Sequence, residues 1–405
     1  MVLAGLVGCS SDTTPAGAAS GGNSSSGGSG APGSGATTGT AAGTGAGILG
    51  GSGASGNATG ASGSGATSGS ATGASGTADA STTAPDGGAG DAGTNGDSAA
   101  GGLKPPVIRP DGLYVLEFGS TVFAVNPALG ARIVSFKYDG DELLTDPTAN
   151  ARYYGSTLWT SPAGDWVPAT GFAPPAAVDR DPYTATVSAD GVITATSAPY
   201  TTPNGKKFTI TKVFTADIAK QAIVIDYTIT NTGTTAFQLS HWEVTRVFPN
   251  GLTFFPAGNL VKTNFLAQPI NFQQMAGYTW YDDTTHMAAK GEGKAGSDSM
   301  GGFIAHDAPH PKGDLLFIKA FKVIAPAMAP PAPDNFAIEL YATDAPTSTG
   351  HTYVELEEYS AYTSIAAAMS YTQTVRWYLR RLPTGTDRTV GSAALIAAAN
   401  AILGK

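Results

Sequence analysis

The chain has 405 residues, with 22 lysines and arginines against 31 aspartates and glutamates, a formal net charge of −9. Five of the acids and none of the bases precede Leu103, so the remainder carries 26 acids against 22 bases, and this mild acidity without a basic block excludes an electrostatic footprint for nucleic acid. The single cysteine, Cys9, excludes an internal disulfide and any cysteine metal site.

Residues 10–102 are almost wholly Gly, Ser, Ala and Thr, without an aromatic residue. Such a segment cannot bury enough apolar surface to offset the entropy of ordering it, so it reads as a disordered tether. Its root-mean-square reach as a flexible chain is roughly 50–60 Å. From Leu103 the composition changes, and the rest of the chain, residues 103–405, is long enough for one large core. Tyr114–Pro127 reads as two short strands about Gly119-Ser120. Ala131–Leu144 reads as a hairpin, with Asp139-Gly140 suited to a type I′ turn. A similar pattern surrounds Asp190-Gly191. Two longer alternating strands follow between Lys206 and Gly233, and FQLSHWEVTRVF comes directly after them. Further strands are expected at LLFIKAFK, NFAIELYAT, TYVELEEY and YTQTVRWYLRRL, and one helix from Ser392 onward. Three longer irregular stretches are expected at Trp159–Pro182, Val261–Ser299 and Ile324–Asn335. Many hairpin-joined strands without strand–helix alternation predict an all-β, large antiparallel sandwich with a short C-terminal helix. No stretch reaches the roughly 18–20 apolar residues of a spanning helix.

Two resemblances add to this reading. LAGLVGCSS, Leu3–Ser11, resembles the lipobox of bacterial lipoproteins, with Leu6-Val7-Gly8-Cys9 as the box. It implies that residues 1–9 carry a signal, that Cys9 is acylated, and that the protein is extracytoplasmic. The lipid would hold it to the bacterial cell envelope, with the outer membrane as the expected location, so its membrane contact is an anchor only. NPALGARIVSFKYDG, ITNTGTTAFQLSHWEV and YVELEEYSAY resemble the galactose mutarotase-like (aldose epimerase) superfamily over roughly residues 110–384. GSTLWTSPAGDW and HWEVTRVFPNG are closer to an uncharacterised bacterial branch of it. The resemblance implies a β-sandwich with a carbohydrate-facing cleft on one sheet. It also implies a ring-opening isomerisation run by one base and one acid, with no metal or organic cofactor. Carried over by position, His241 falls near the family's acid and Glu357 or Glu355 near its base, with Glu357 placed slightly ahead.

The candidate residues can be weighed on strand alternation. Leu239, His241, Glu243 and Thr245 share one face; Ser240, Trp242, Val244 and Arg246 share the other. His241 beside Glu243 is either an acid kept protonated by a carboxylate or a polar pair on a wet sheet face. Tyr353, Glu355, Glu357 and Tyr359 share a face that suits sugar hydroxyls and rings, or that simply guards a solvated edge strand. Arg132 either contributes to the site or partners a surface carboxylate. Trp159 and Trp166, read as loop tryptophans, could stack on a pyranose or plug the end of the sandwich, and Asp165 could bind hydroxyls or cap the turn. His286, His306, His310 and His351 lack ligand spacing, and HDAPH, placed in a loop, carries Pro309 where a helical zinc motif could not. The expected function is a carbohydrate-recognising domain with aldose 1-epimerase-type activity, or else a non-catalytic glycan-binding or structural envelope module.

Overall fold

The computed structural model describes residues 102–166, 174–259, 261–262, 270–286, 292–299, 301–331, 336–344 and 351–405. Cys9 and residues 10–101 of the expected tether lie outside them. Among the described residues, strands form two antiparallel sheets, one of twelve and one of eleven. The middle of the larger sheet runs Arg132–Tyr138, Ser156–Ser161, Phe237–Val247, His351–Tyr359, Ile338–Asp344 and Gly293–Ser297. The middle of the smaller runs Phe303–Ala308, Leu315–Phe321, Ser370–Arg381, Ala222–Asn231 and Lys207–Asp217. This is the antiparallel sandwich that the sequence predicts.

Local chemistry explains the elements. In Lys207–Asp217, Phe208, Ile210, Lys212 and Phe214 are buried in alternation with partly exposed neighbours, the signature of a half-buried strand. Asp139 and Gly140 both take positive φ, 52° and 82°, as the predicted I′ turn requires. Gly155 has φ +62°, and a Cβ there would lie 2.2 Å from the Ile133 carbonyl oxygen, so only glycine lets the Ser156–Ser161 strand start against Arg132–Tyr138. Between the sheets, Trp377 packs against Phe136 and Phe317 at ring separations of 5.6 and 5.1 Å. The C-terminal helix Ala393–Leu403 is N-capped by Ser392, whose hydroxyl accepts from Leu395 N, and ends at Gly404. It buries Leu395 and Ala399 against Leu252, Trp280 and Leu316 on the other side of the smaller sheet.

Three expectations change. Trp159 is central in the Ser156–Ser161 strand, every residue of which is buried, and is no loop residue. The stretch Val261–Ser299 is not wholly irregular: it contains Gln273–Met275, Tyr278–Asp282 and Gly293–Ser297, which pair into the two sheets. The sequence signal failed there because Gly293–Ser297, GKAGS, has neither β-branched nor aromatic residues. His306 and Asp307 belong to the Phe303–Ala308 strand, also not to a loop.

Candidate functional site

The Phe237–Val247 strand is buried on both faces, which is why polar residues can crowd it only where partners await them. Its two faces do different things. On the face turned toward the smaller sheet, Leu239 joins the core. There the Glu243 carboxylate accepts from the Tyr227 hydroxyl at 2.8 Å and lies 3.2 Å from Lys319 Nζ, both residues of the smaller sheet. Lys319 also meets Glu358 at 2.6 Å and donates to Thr245 Oγ1 and the Leu356 carbonyl. Burial acts against the Lys319 ammonium, yet Glu243 and Glu358 outweigh it and hold its pKa above the ordinary value. Burial, with Glu243 beside it, pushes the Glu358 carboxyl well up.

His241 lies on this same inner face. Its Nδ1 is 3.0 Å from Ser360 Oγ, and its ring centre lies 5.0 Å from that of Tyr371 in the smaller sheet. Burial lowers its pKa to about 3, against a small opposing effect of the Tyr227 backbone. The expectation of an imidazole kept protonated by Glu243 is therefore overturned: the two share a face, but that face is the closed interior, where desolvation wins. Nor is Glu243 placed to bind a substrate, since Tyr227 and Lys319 take it up.

The opposite face of the larger sheet carries the other candidates. Strand register sets Trp242 beside Trp159 and Tyr359, Arg246 beside Glu355, Glu357 beside Glu339, and Tyr341 beside Lys294. Paired residues of antiparallel strands point the same way, so this face gathers Trp159, Trp242, Arg246, Tyr353, Glu355, Glu357 and Tyr359 as one cluster, each of them as buried as His241. His241 points away from it. The predicted pairing of His241 with Glu357 across one sugar is not met, because alternation puts them on opposite sides of the sheet. The solvated-edge reading of Glu355 and Glu357 fails too: their strand is interior to the sheet, and they are 1 % and 0 % exposed.

Each charge on this face is held. Glu357 accepts from Trp242 Nε1 at 2.6 Å and from Lys294 Nζ at 3.0 and 3.1 Å. Lys294 also reaches Glu339 at 2.8 Å, whose carboxylate accepts from the Tyr359 hydroxyl at 2.8 Å. The Lys294 ammonium lies 5.1 Å from the Trp242 ring centre. Arg246 Nε donates to Glu355 at 2.7 Å, and its guanidinium lies 5.3 Å from the Trp159 ring centre and 5.7 Å from that of Tyr353. Burial raises the Glu355 pKa to about 7, with Arg246 opposing and Glu357 assisting. Arg132 pairs with Asp179 at 3.3 Å, both nearly inaccessible, and Trp159 Nε1 donates to the same carboxylate at 2.9 Å. The surface-carboxylate reading of Arg132 is thus replaced by a buried ion pair that locks the Ala176–Asp179 turn of helix onto the sheet.

Trp166 stacks on Trp242 at 6.5 Å and 28°, its Nε1 bonded to the Thr160 carbonyl. Asp165, on the preceding 3-10 turn, is gripped by Lys206 Nζ and Asn204 Nδ2, each at 2.6 Å. Sequence reasoning missed Lys294, Glu339 and Asp179. Alternation within FAIELYAT could have set Glu339 and Tyr341 on one face, but nothing local marks Lys294 or Asp179. Among the described residues, no group of three or more His, Cys, Asp or Glu is arranged to hold a metal ion.

No protein-family model matches the chain, and no curated protein matches it in sequence. Solved structures are similar to it at low identity. A galactose mutarotase-like protein from Lactobacillus casei is 9 % identical with a TM-score of 0.47, over 66 % of this chain and 100 % of that one. A galactose mutarotase-related enzyme from Lactobacillus acidophilus is 8 % identical with a TM-score of 0.44, over 67 % and 98 %. A galactose mutarotase-like protein from Clostridium acetobutylicum is 9 % identical with a TM-score of 0.42, over 70 % and 99 %.

Proposed function

We propose that the face of the larger sheet bearing Trp242, Arg246, Glu355 and Glu357 recognises carbohydrate. The observation that carries this reading is the assembly, on one sheet face, of tryptophan and tyrosine rings with carboxylates already oriented by Lys294 and Arg246. Aromatic faces take the apolar side of a pyranose, and oriented carboxylates take its hydroxyls. Because Trp166 stacks on Trp242, a ring binding Trp242 from that side takes the place of Trp166. Titration calorimetry with a panel of neutral sugars tests the reading. Binding that survives Trp242→Ala unchanged would overturn it.

A second reading, aldose 1-epimerase-type isomerisation, is favoured by Glu355, whose pKa of about 7 suits a general base at neutral pH. The base removes the C1 hydroxyl proton as the bond from C1 to the ring oxygen breaks, and a donor on the same face protonates that oxygen. Lys294 and the tyrosines supply such donors; His241 faces away. Glu357 already accepts from the Lys294 ammonium and the Trp242 indole N–H. Loss of anomer equilibration in Glu355→Gln, with sugar affinity kept within several-fold, supports catalysis; equilibration no faster than in buffer for the unaltered protein leaves binding alone.

We also propose that Cys9 is lipidated and that the protein works outside the cytoplasm, on the lipobox-like residues Leu6–Cys9. Membrane fractionation of Cys9→Ser tests this: unchanged partitioning would remove the anchor.

A further inference from the structure

A recess opens on the side of the smaller sheet that faces away from the larger one. In the Ser370–Arg381 strand, Trp377 and Leu379 lie in the core between the sheets, so alternation turns Tyr378 and Arg380 outward. Both line a pocket of about 640 Å³, within the size range of small-ligand sites. One wall is the turn Ile218–Gln221, which joins Lys207–Asp217 to Ala222–Asn231. The other is the last turn of the C-terminal helix, with Ile402 and Leu403. The walls are fixed without a ligand. Arg380 Nη2 donates to the Lys220 carbonyl at 2.9 Å, and Asp217 Oδ1 accepts from Lys220 N at 3.1 Å, so the turn is held from both sides.

Three properties define what fits. Tyr378 is only 5 % exposed, yet its hydroxyl has no hydrogen-bond partner among the described residues, and a buried phenol ordinarily finds one. The Lys220 ammonium, at the exposed rim, also makes no hydrogen bond or ion pair among the described residues. The charges near Tyr378 are Lys220, Arg376 and Arg380 against Asp217, three cations to one carboxylate. The helix C-terminus adds only about half a negative charge, so the excess stays positive. Ile218, Ile402 and Leu403 are partly buried and give the pocket hydrocarbon walls. We infer that this pocket binds an amphipathic carboxylate, its acid group accepting from the Tyr378 hydroxyl and facing Lys220, its apolar body against Ile402 and Leu403. The site is separate from the carbohydrate reading and does not depend on it.

The test uses the full chain and calorimetric titration with octanoate and 2-naphthoate, an aliphatic and an aromatic body on the same acid group. Acetate and 1-octanol serve as the charge alone and the apolar body alone. At least one of the two carboxylates should bind roughly ten-fold or more tightly than either control. Tyr378→Phe keeps the ring and removes only the hydroxyl. It should weaken that binding by about ten-fold or more, the size of a hydrogen bond to a charged acceptor. Lys220→Gln, on the surface, should cost about two- to five-fold, as for an exposed ion pair, and the difference should fade at high salt. Octanol bound as tightly as octanoate overturns the anionic class. Affinity unchanged in both variants places the ligand elsewhere and overturns the site, and so does failure of both carboxylates to bind. None of these results touches the carbohydrate reading.

Discussion

Lys319→Met isolates the polar cluster between the sheets. Lys319 is wholly buried and contacts Glu243 at 3.2 Å and Glu358 at 2.6 Å, with two further hydrogen bonds to Thr245 Oγ1 and the Leu356 carbonyl. Methionine nearly fills the same volume, so the loss is electrostatic and not a cavity. Removing one partner from a buried ion pair costs about 3–5 kcal/mol, because the remaining charge keeps its desolvation penalty and loses its compensation. At roughly 2–3 °C per kcal/mol for a domain of this size, the melting temperature should fall by about 6–15 °C. Urea unfolding at neutral pH, read by tryptophan fluorescence, would show the same loss as a lower midpoint at constant slope. Without the ammonium, which opposes the rise, the folded-state pKa of Glu358 goes further above that of the unfolded chain. Stability then falls as pH rises through that window, so the deficit of the variant should shrink on acidification. Adding Glu243→Gln and Glu358→Leu removes the stranded charges and should recover most of the loss. A cost below about 1 kcal/mol for Lys319→Met alone would refute the argument, since a cation that buried cannot be removed cheaply if the two glutamates depend on it.

Other outcomes follow from the same geometry. His241→Phe should leave sugar binding and any anomer equilibration unchanged, because the ring faces the interior; a large loss of either in a folded variant would return it to the site. With a folded pKa of about 3, neutral His241 makes stability fall as pH drops from about 6.5 toward 3, and His241→Phe should reduce that part of the acid sensitivity in pH-dependent thermal unfolding. Glu355, raised to about 7, acts with the opposite sign: its contribution to stability falls as pH rises from its unfolded value, about 4.3, toward 7, and Glu355→Gln should flatten that limb of the stability profile. Any isomerase activity should rise through the same range as the base ionises. Deleting residues 10–102 should leave the melting temperature of the remainder within a few degrees; a larger drop would mean that the segment contributes to the fold.

Much of this protein was legible along the chain. The Asp139-Gly140 turn, the paired strands between Lys206 and Gly233, and the Ser392-capped helix all rest on local rules: positive φ at a tight turn, alternation, and an N-cap hydroxyl. Alternation also sorted HWEVTR into two faces correctly, and grouped Tyr353, Glu355, Glu357 and Tyr359. What a period of two cannot say is which face meets the other sheet. That depends on long-range pairing, on Tyr227 and Lys319 reaching Glu243 from the smaller sheet, and it moved His241 from the site to the core. The same holds for Lys294, which sits in a strand of glycine, alanine and serine with no local β signal, and is placed only by its pairing with Ile338–Asp344. The sequence by itself determined the elements and the two-sided pattern of each strand, because those follow from backbone sterics and neighbouring side chains. Only the tertiary structure decided which side meets the smaller sheet, and therefore which carboxylates Tyr227 and Lys319 hold and which Lys294 and Arg246 hold, because packing is a property of the partner surface and not of the strand.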